Sequence, residues 1–226
     1  MILTDRQILE AHRSGDVVIE PFAEAQIQGA TYDLRVGDQG ATTSGKRVVN
    51  LKEVGFMSIQ PGDFAILTVL EIIRLGPQFV GRFGLRSKFA RKGLIATTGP
   101  QIDPGFHGRL IIGITNLSPR PVSLSHGDDF VSLEIHRLEE ATTKPYSGPY
   151  QDKLSLGPEE IEAITESEGM ALSEMLTSLR VLTQSVGTLT TDVTSLTTEM
   201  KSLKFWVPFI LTVGLALLGL IVALKS

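Results

Sequence analysis

Cysteine is absent from this 226-residue chain. Its absence excludes disulfides, a thiol nucleophile and the cysteine-ligated zinc of the zinc-dependent nucleobase deaminases. Histidine is scarce, and the four present, His12, His107, His126 and His136, show no ligand spacing. An excess of positive charge is missing too. A formal net charge of -4 argues against a protein that coats nucleic acid, so no nucleic-acid partner is expected and any basic cluster reads as a local site. The N-terminus, Met-Ile-Leu-Thr-Asp-Arg, lacks the apolar core of a signal peptide, so residues 1–160 are expected to stay in the cytosol.

What is present is concentrated between residues 85 and 116. Arg86, Ser87, Lys88 and Arg91 stand beside Gly93, and guanidinium, ammonium and hydroxyl groups together supply charge-assisted donors to phosphate oxygens. Asp103 follows in an Ile-Asp-Pro-Gly turn that would hold one carboxylate rigidly near the basic run. Cations for phosphates and a fixed carboxylate suggest a nucleotide pocket.

Along the chain, Thr4-Asp5-Arg6-Gln7 reads as a capping box that opens a short helix reaching about Ser14. Tyr32, Leu34 and Val36 alternate with Asp33 and Arg35, the period of a half-buried strand, which turns Asp33 away from the core toward solvent or a site. A β-rich run from Phe64 to Leu70 ends near Gly76-Pro77, and further runs at 109–117, 121–125 and 129–137 are separated by Ser118-Pro119 and His126-Gly127-Asp128. Short strands punctuated by Gly and Pro, after one early helix, describe a mainly β barrel or sandwich.

The tail differs in kind, with no proline from residue 168 until Pro208. Leu172, Leu179, Val186, Val193 and Met200 share one heptad position, and Met175, Leu182, Leu189, Leu196 and Leu203 share the other. That repeat predicts a long coiled-coil helix, with dimer and trimer both open. An apolar run of about 20 residues follows at 205–224, flanked by Lys201, Lys204 and Lys225, and predicts one transmembrane helix. The expected localisation is therefore a single-pass C-terminal membrane anchor, with the N-terminal body cytoplasmic.

Several motifs carry a family resemblance. Thr4-Asp5-Arg6, Gly29-Ala30-Thr31-Tyr32-Asp33-Leu34-Arg35-Val36-Gly37, Pro61-Gly62-Asp63-Phe64-Ala65, Arg86-Ser87 with Ala90-Arg91, Ile102-Asp103-Pro104-Gly105-Phe106 and Pro145-Tyr146 resemble the dCTP deaminase branch of the dUTPase superfamily. The resemblance covers roughly residues 1–158 as a nucleotide-binding domain. Beyond it lie 159–204, read as linker and stalk, and the apolar segment 205–224.

The resemblance implies a homotrimer of distorted β-barrels, with dUTP or dCTP bound between subunits and Mg2+ held by the triphosphate, without zinc. Arg86 and Ser87 would meet phosphates, with Lys88 as an added cation, and Arg91 would bridge phosphate and the catalytic centre. Asp103 would contact the deoxyribose and position water, and Phe106 would sit against the sugar. Asp33 would support the metal through water. Tyr146, Tyr150 and Gln151 would belong to an arm that folds over the ligand.

Two departures bear on chemistry. The family's deaminases carry a water-activating glutamate three residues before the asparagine of the long strand; here Asn116 is present, but the corresponding residue is Gly113, and 109–117 holds no carboxylate. Deamination is then expected to be lost or weak, since a positioned base contributes about 10²- to 10⁴-fold, while hydrolysis of dUTP to dUMP and pyrophosphate stays chemically open. Pro149 also stands where the arm usually has lysine. The alternative expectation is a catalytically silent nucleotide sensor coupled through the stalk to a membrane effector role.

Overall fold

A computed structural model describes the backbone of residues 1–166 and 172–225. It divides into two compact units, Met1–Glu174 and Met175–Ser226.

The first unit is mainly β. It begins with helix α1 (Asp5–Ser14), where the Thr4 amide donates to Gln7 Oε1 at 3.0 Å, and ends at Gly15 in the left-handed region. The strands are β1 (Val17–Glu20), β2 (Tyr32–Thr42), β3 (Val48–Asn50), β4 (Phe56–Ile59), β5 (Phe64–Leu75), β6 (Phe79–Leu85), β7 (Leu94–Ala96), β8 (Gln101–Ile102), β9 (His107–Asn116), β10 (Val122–Ser125) and β11 (Asp129–Arg137). Helical turns α2 (Leu51–Val54) and α3 (Ser87–Ala90) interrupt them, and α4 (Pro158–Glu166) follows.

The main sheet runs β7-β9-β5-β2-β11-β6-β8, with β1 added on β5 and β3 on β2. Irregularities in the β2–β5, β5–β9 and β2–β11 ladders sharpen local twist, and the sheet curls into a half-barrel. Tyr32, Leu34 and Val36 point into its core as their alternation predicts, and Ile8 and Ala11 of α1 are buried with them.

Asp33 does not face solvent. It is 1% exposed, accepts the Ser132 hydroxyl at 2.6 Å and is ion-paired with Arg86. A carboxylate that far from water needs a partner, and the cation from the basic run supplies it.

The second unit belongs to helix α5 (Leu172–Lys225). The heptad side chains from Leu179 to Leu203 are exposed along it; those of Leu172 and Met175 lie outside the described residues. The expected transmembrane helix is overturned. Among the described residues, no helix is long and apolar enough to cross a membrane. Within 205–224 the side chains of Phe205, Ala216 and 218–224 lie outside the described residues, and those described are continuous only over 206–215. The membrane anchor, the membrane as partner and the localisation built on them are withdrawn.

Candidate functional site

The basic run is local architecture as well as charge. Phe89 of α3 is fully buried, edge-on to Phe130 with ring centroids 5.9 Å apart, and the Arg86 amide donates to Phe130 O at 3.0 Å. That plug leaves Ser87, Lys88 and Arg91 exposed on the surface around it. Lys88 Nζ lies 4.0 Å from Asp128 and 5.1 Å from the centre of the Phe89 ring.

The Asp103 turn is pinned to the end of β5. The Gly105 amide donates to Leu75 O at 3.0 Å, and the Leu75 amide returns a bond to Phe106 O at 2.9 Å. Gly105 has φ +86°, and a Cβ there would stand 2.6 Å from Pro145 Cβ. Glycine therefore lets the 145–153 arm lie directly on the turn. The Tyr146 amide donates to Pro104 O at 2.8 Å, Gln151 Nε2 to Gly105 O at 3.1 Å, and the His107 amide to Gln151 Oε1 at 3.2 Å. Pro149 does not keep the arm away.

Turn, arm and β9 enclose a cavity of about 320 Å³. Asp103, Phe106, Tyr146 and Tyr150 all line it, the Phe106 and Tyr146 rings standing 5.7 Å apart. Asp103 Oδ1 accepts Gln101 Nε2 at 3.1 Å. Apolar walls come from Phe64, Ile66 and Ile111. This mixture of flat apolar wall and a few polar groups suits a small ring-bearing ligand. Arg86, Ser87, Lys88 and Arg91 are not among its lining residues. Within one chain, the expected phosphate-binding cations and the expected sugar-binding carboxylate are not brought together.

Sequence reasoning missed several lining residues. Arg109 enters from β9, its guanidinium donating to Asp38 Oδ2 at 3.0 Å, while His126 Nε2 lies 2.9 Å from Asp38 Oδ1. Burial alone would raise the Asp38 carboxyl, but these bonds from His126 and Arg109 hold it below its ordinary range. Thr98, Glu159 and Glu160 also line the cavity, the glutamates from α4. The position of Thr98 in the short loop before Gln101 could have flagged it. Nothing local flags α4.

Gly113 is buried at the cavity wall. Its amide donates to Thr98 Oγ1 at 2.6 Å, and an added Cβ would lie 2.7 Å from Thr97 Oγ1 and 3.1 Å from both Thr98 Oγ1 and Phe64 Cε2. The space that a side chain at 113 would need is already occupied. Asn116, by contrast, is fully engaged: its amide donates to Ile59 O and Arg120 O, and its oxygen accepts from Ser118.

The dCTP deaminase-like family model matches residues 2–138. The chain belongs to that family. It is 40% identical over 156 residues to a dCTP deaminase of Thermococcus sibiricus, covering 69% of this chain and 95% of the relative. To the "dCTP deaminase, dUMP-forming" of Aquifex aeolicus it is 30% identical over 171 residues, covering 71% and 95%. Among solved structures, the 2'-deoxycytidine 5'-triphosphate deaminase of Agrobacterium tumefaciens superimposes with a TM-score of 0.50 at 18% identity, over 60% of this chain. The match spans 47% of that structure's length and bears on the fold alone. The matched family region ends before the arm and α4, so the side of the cavity that those segments build is outside it.

Proposed function

We propose that this member of the dCTP deaminase-like family binds a pyrimidine deoxynucleoside triphosphate, with sugar and base in the Asp103 cavity and the phosphates on the basic run of a neighbouring copy. The observation that carries the reading is the gathering of Asp103, Phe106, Tyr146 and Tyr150 around one cavity with Gln151 tying down the arm. Ser87, Lys88 and Arg91 are exposed elsewhere on the same body, as donors to phosphate oxygens of a second subunit's ligand require. A homotrimer of the body over 1–158, with the heptad side chains exposed from Leu179 to Leu203 as the seam of a coiled-coil stalk, satisfies both needs.

The reaction we assign is hydrolysis of dUTP to dUMP and pyrophosphate. Water adds at the α-phosphorus as the bond to the bridging oxygen breaks, and pyrophosphate leaves. Asp103 would orient that water, and Arg91 would stabilise charge on the phosphoryl oxygens. Asp33 does not fit as a metal support, because its carboxylate is committed to Arg86 and Ser132. Among the described residues no group of three His, Asp or Glu side chains could hold a metal ion. Magnesium would accordingly travel with the triphosphate oxygens. The filled space at Gly113 argues against deamination, and the second reading is binding without turnover.

The test is pyrophosphate release by the full chain with dUTP and magnesium. Turnover that is lost in Asp103→Ala supports the enzyme; binding without turnover supports the second reading. A thermal midpoint unmoved by every deoxynucleoside triphosphate would sink both.

A further inference from the structure

Among the described residues that line the Asp103 cavity, Arg109 alone carries positive charge; the walls otherwise hold the carboxylates of Asp103, Glu159 and Glu160. The arm adds little to it. Lys153 Nζ is committed to Glu160 at 2.5 Å, and residue 149 is proline. An anionic ligand in this cavity therefore has one basic side chain to meet on its walls.

Arg109 is held at both ends. Its amide donates to Lys153 O at 2.8 Å, and Gly108 before it has φ +148°, where a Cβ would stand 2.9 Å from that same oxygen. Glycine thus lets the arm lie directly on this part of β9. The side chain then reaches across β5, the strand between β9 and β2, and Nη1 donates to Asp38 Oδ2 at 3.0 Å. The other oxygen of Asp38 faces His126 Nε2 at 2.9 Å, so the carboxylate does not grip the guanidinium with both oxygens.

This one-point hold leaves donors over. Arg109 Nε is buried without a hydrogen-bond partner among the described residues, although the side chain as a whole is 21% exposed and so not sealed from a ligand. Arg35 shows the contrast: its Nε donates to Glu71 Oε1 at 2.6 Å and its Nη2 to Pro21 O at 3.3 Å, which commits that fork to the fold. A buried donor left unmet is rare and costly, and a guanidinium pairs best with two oxygens of one phosphoryl group.

We propose that Arg109 is a substrate-binding residue whose guanidinium donates to polyphosphate oxygens of the bound nucleotide, with Asp38 and His126 as the positioning pair behind it. This rests on the nucleotide reading above and adds a phosphate contact from the subunit that holds sugar and base, beside those from the neighbouring copy. Strand β9 then supplies the charge that Pro149 does not supply from the arm.

Titration of the full chain with α,β-imido-dUTP, which resists hydrolysis, and with deoxyuridine, which has base and sugar but no phosphate, tests this. The variants are Arg109→Gln, Asp38→Asn and the two combined; the double variant removes the pair without stranding a charge, so the comparison survives if Arg109→Gln is unstable. Arg109→Gln and the double variant are expected to weaken the imido-triphosphate by about tenfold or more, the range of a charge-assisted bond, and to change deoxyuridine by less than about twofold. Their affinity for the imido-triphosphate should also fall less steeply with added salt than that of wild type, because one screened charge pair is gone. Asp38→Asn keeps the fork but loosens its hold and should weaken binding less than Arg109→Gln. An equal loss of both ligands places Arg109 on sugar or base and overturns the proposal. An unchanged affinity or an unchanged salt slope for the imido-triphosphate overturns it too, whatever the thermal midpoint does, and leaves the nucleotide reading standing. A wild type that binds neither ligand removes that reading and this role with it.

Discussion

The Gly113 amide donates to the Thr98 hydroxyl at 2.6 Å, while the Thr97 hydroxyl lies 2.7 Å from where a Cβ on Gly113 would stand. Two threonines from the loop before β8 thus stand over the point on β9 where a deaminase-type glutamate would emerge. Gly113→Ala is expected to cost about 1–2 kcal/mol, since overpacking a tight site forces neighbours off their rotamers. Thr97→Ala in the same chain should recover part of that loss. Chemical denaturation of the single and double variants checks it, and strictly additive effects would show that the two residues do not meet.

The same contact predicts that Gly113→Glu alone does not install deamination. Its carboxylate would have to displace Thr97 or Thr98 before reaching ligand. Ammonia release from dCTP is expected to stay within about threefold of wild type, well short of the 10²- to 10⁴-fold a positioned base supplies. A gain in that larger range would show that the threonines yield freely.

Arg86 and Arg91 should separate by phenotype. Arg86 covers the buried Asp33 carboxylate, so Arg86→Gln strands a charge and should destabilise the fold by about 2–3 kcal/mol. Arg91 is exposed after α3, and Arg91→Gln should change stability by less than about 0.5 kcal/mol while weakening nucleotide binding. Denaturant midpoints and nucleotide titrations of the two variants give the comparison. Equal destabilisation would remove the structural role assigned to Arg86.

Acid should loosen α4. Burial alone would raise the Glu160 carboxyl, but Lys153 and the Gly157 amide hold it below the usual glutamate range. A lowered value means stabilisation that is present above the ordinary glutamate range and lost as pH falls through the lowered one. Glu160→Gln should flatten the dependence of the thermal midpoint on pH in that acid window and leave its slope near neutrality unchanged. A wild-type slope that persists in the variant would place the titration elsewhere.

The heptad seam makes a prediction about assembly. Leu182, Leu189 and Leu196 are each about 60% exposed in the single chain, far more apolar surface than one helix keeps in water. Replacing all three with Asp should lower the oligomeric mass measured by light scattering, or weaken it to a concentration-dependent equilibrium. An unchanged mass would mean that the body alone holds the copies together.

Much of this protein was legible residue by residue. The start of α1 at Thr4, the alternation of Tyr32, Leu34 and Val36, the turns that separate β9, β10 and β11, and the family motifs all follow from short-range rules. Backbone dihedrals, caps and side-chain period act over a few positions, so a linear reading reaches them. The apolar run at 205–224 showed the limit of such reading, since composition suggested a span that the described helix does not provide.

Only tertiary structure decided which side chains share a space. Arg86 is expected to meet phosphate, and only the pairing of β6 with β11 shows that the same side chain also lies over Asp33. Gly113 reads as a vacancy until the β7–β9 pairing and the following loop bring Thr97 and Thr98 onto it. Glu159 reads as one acid among several until Leu156 and Ile164 dock α4 beside the cavity. In each case the contact joins residues far apart in sequence. Its existence depends on sheet register and chain reversal, which no local pattern of residues encodes.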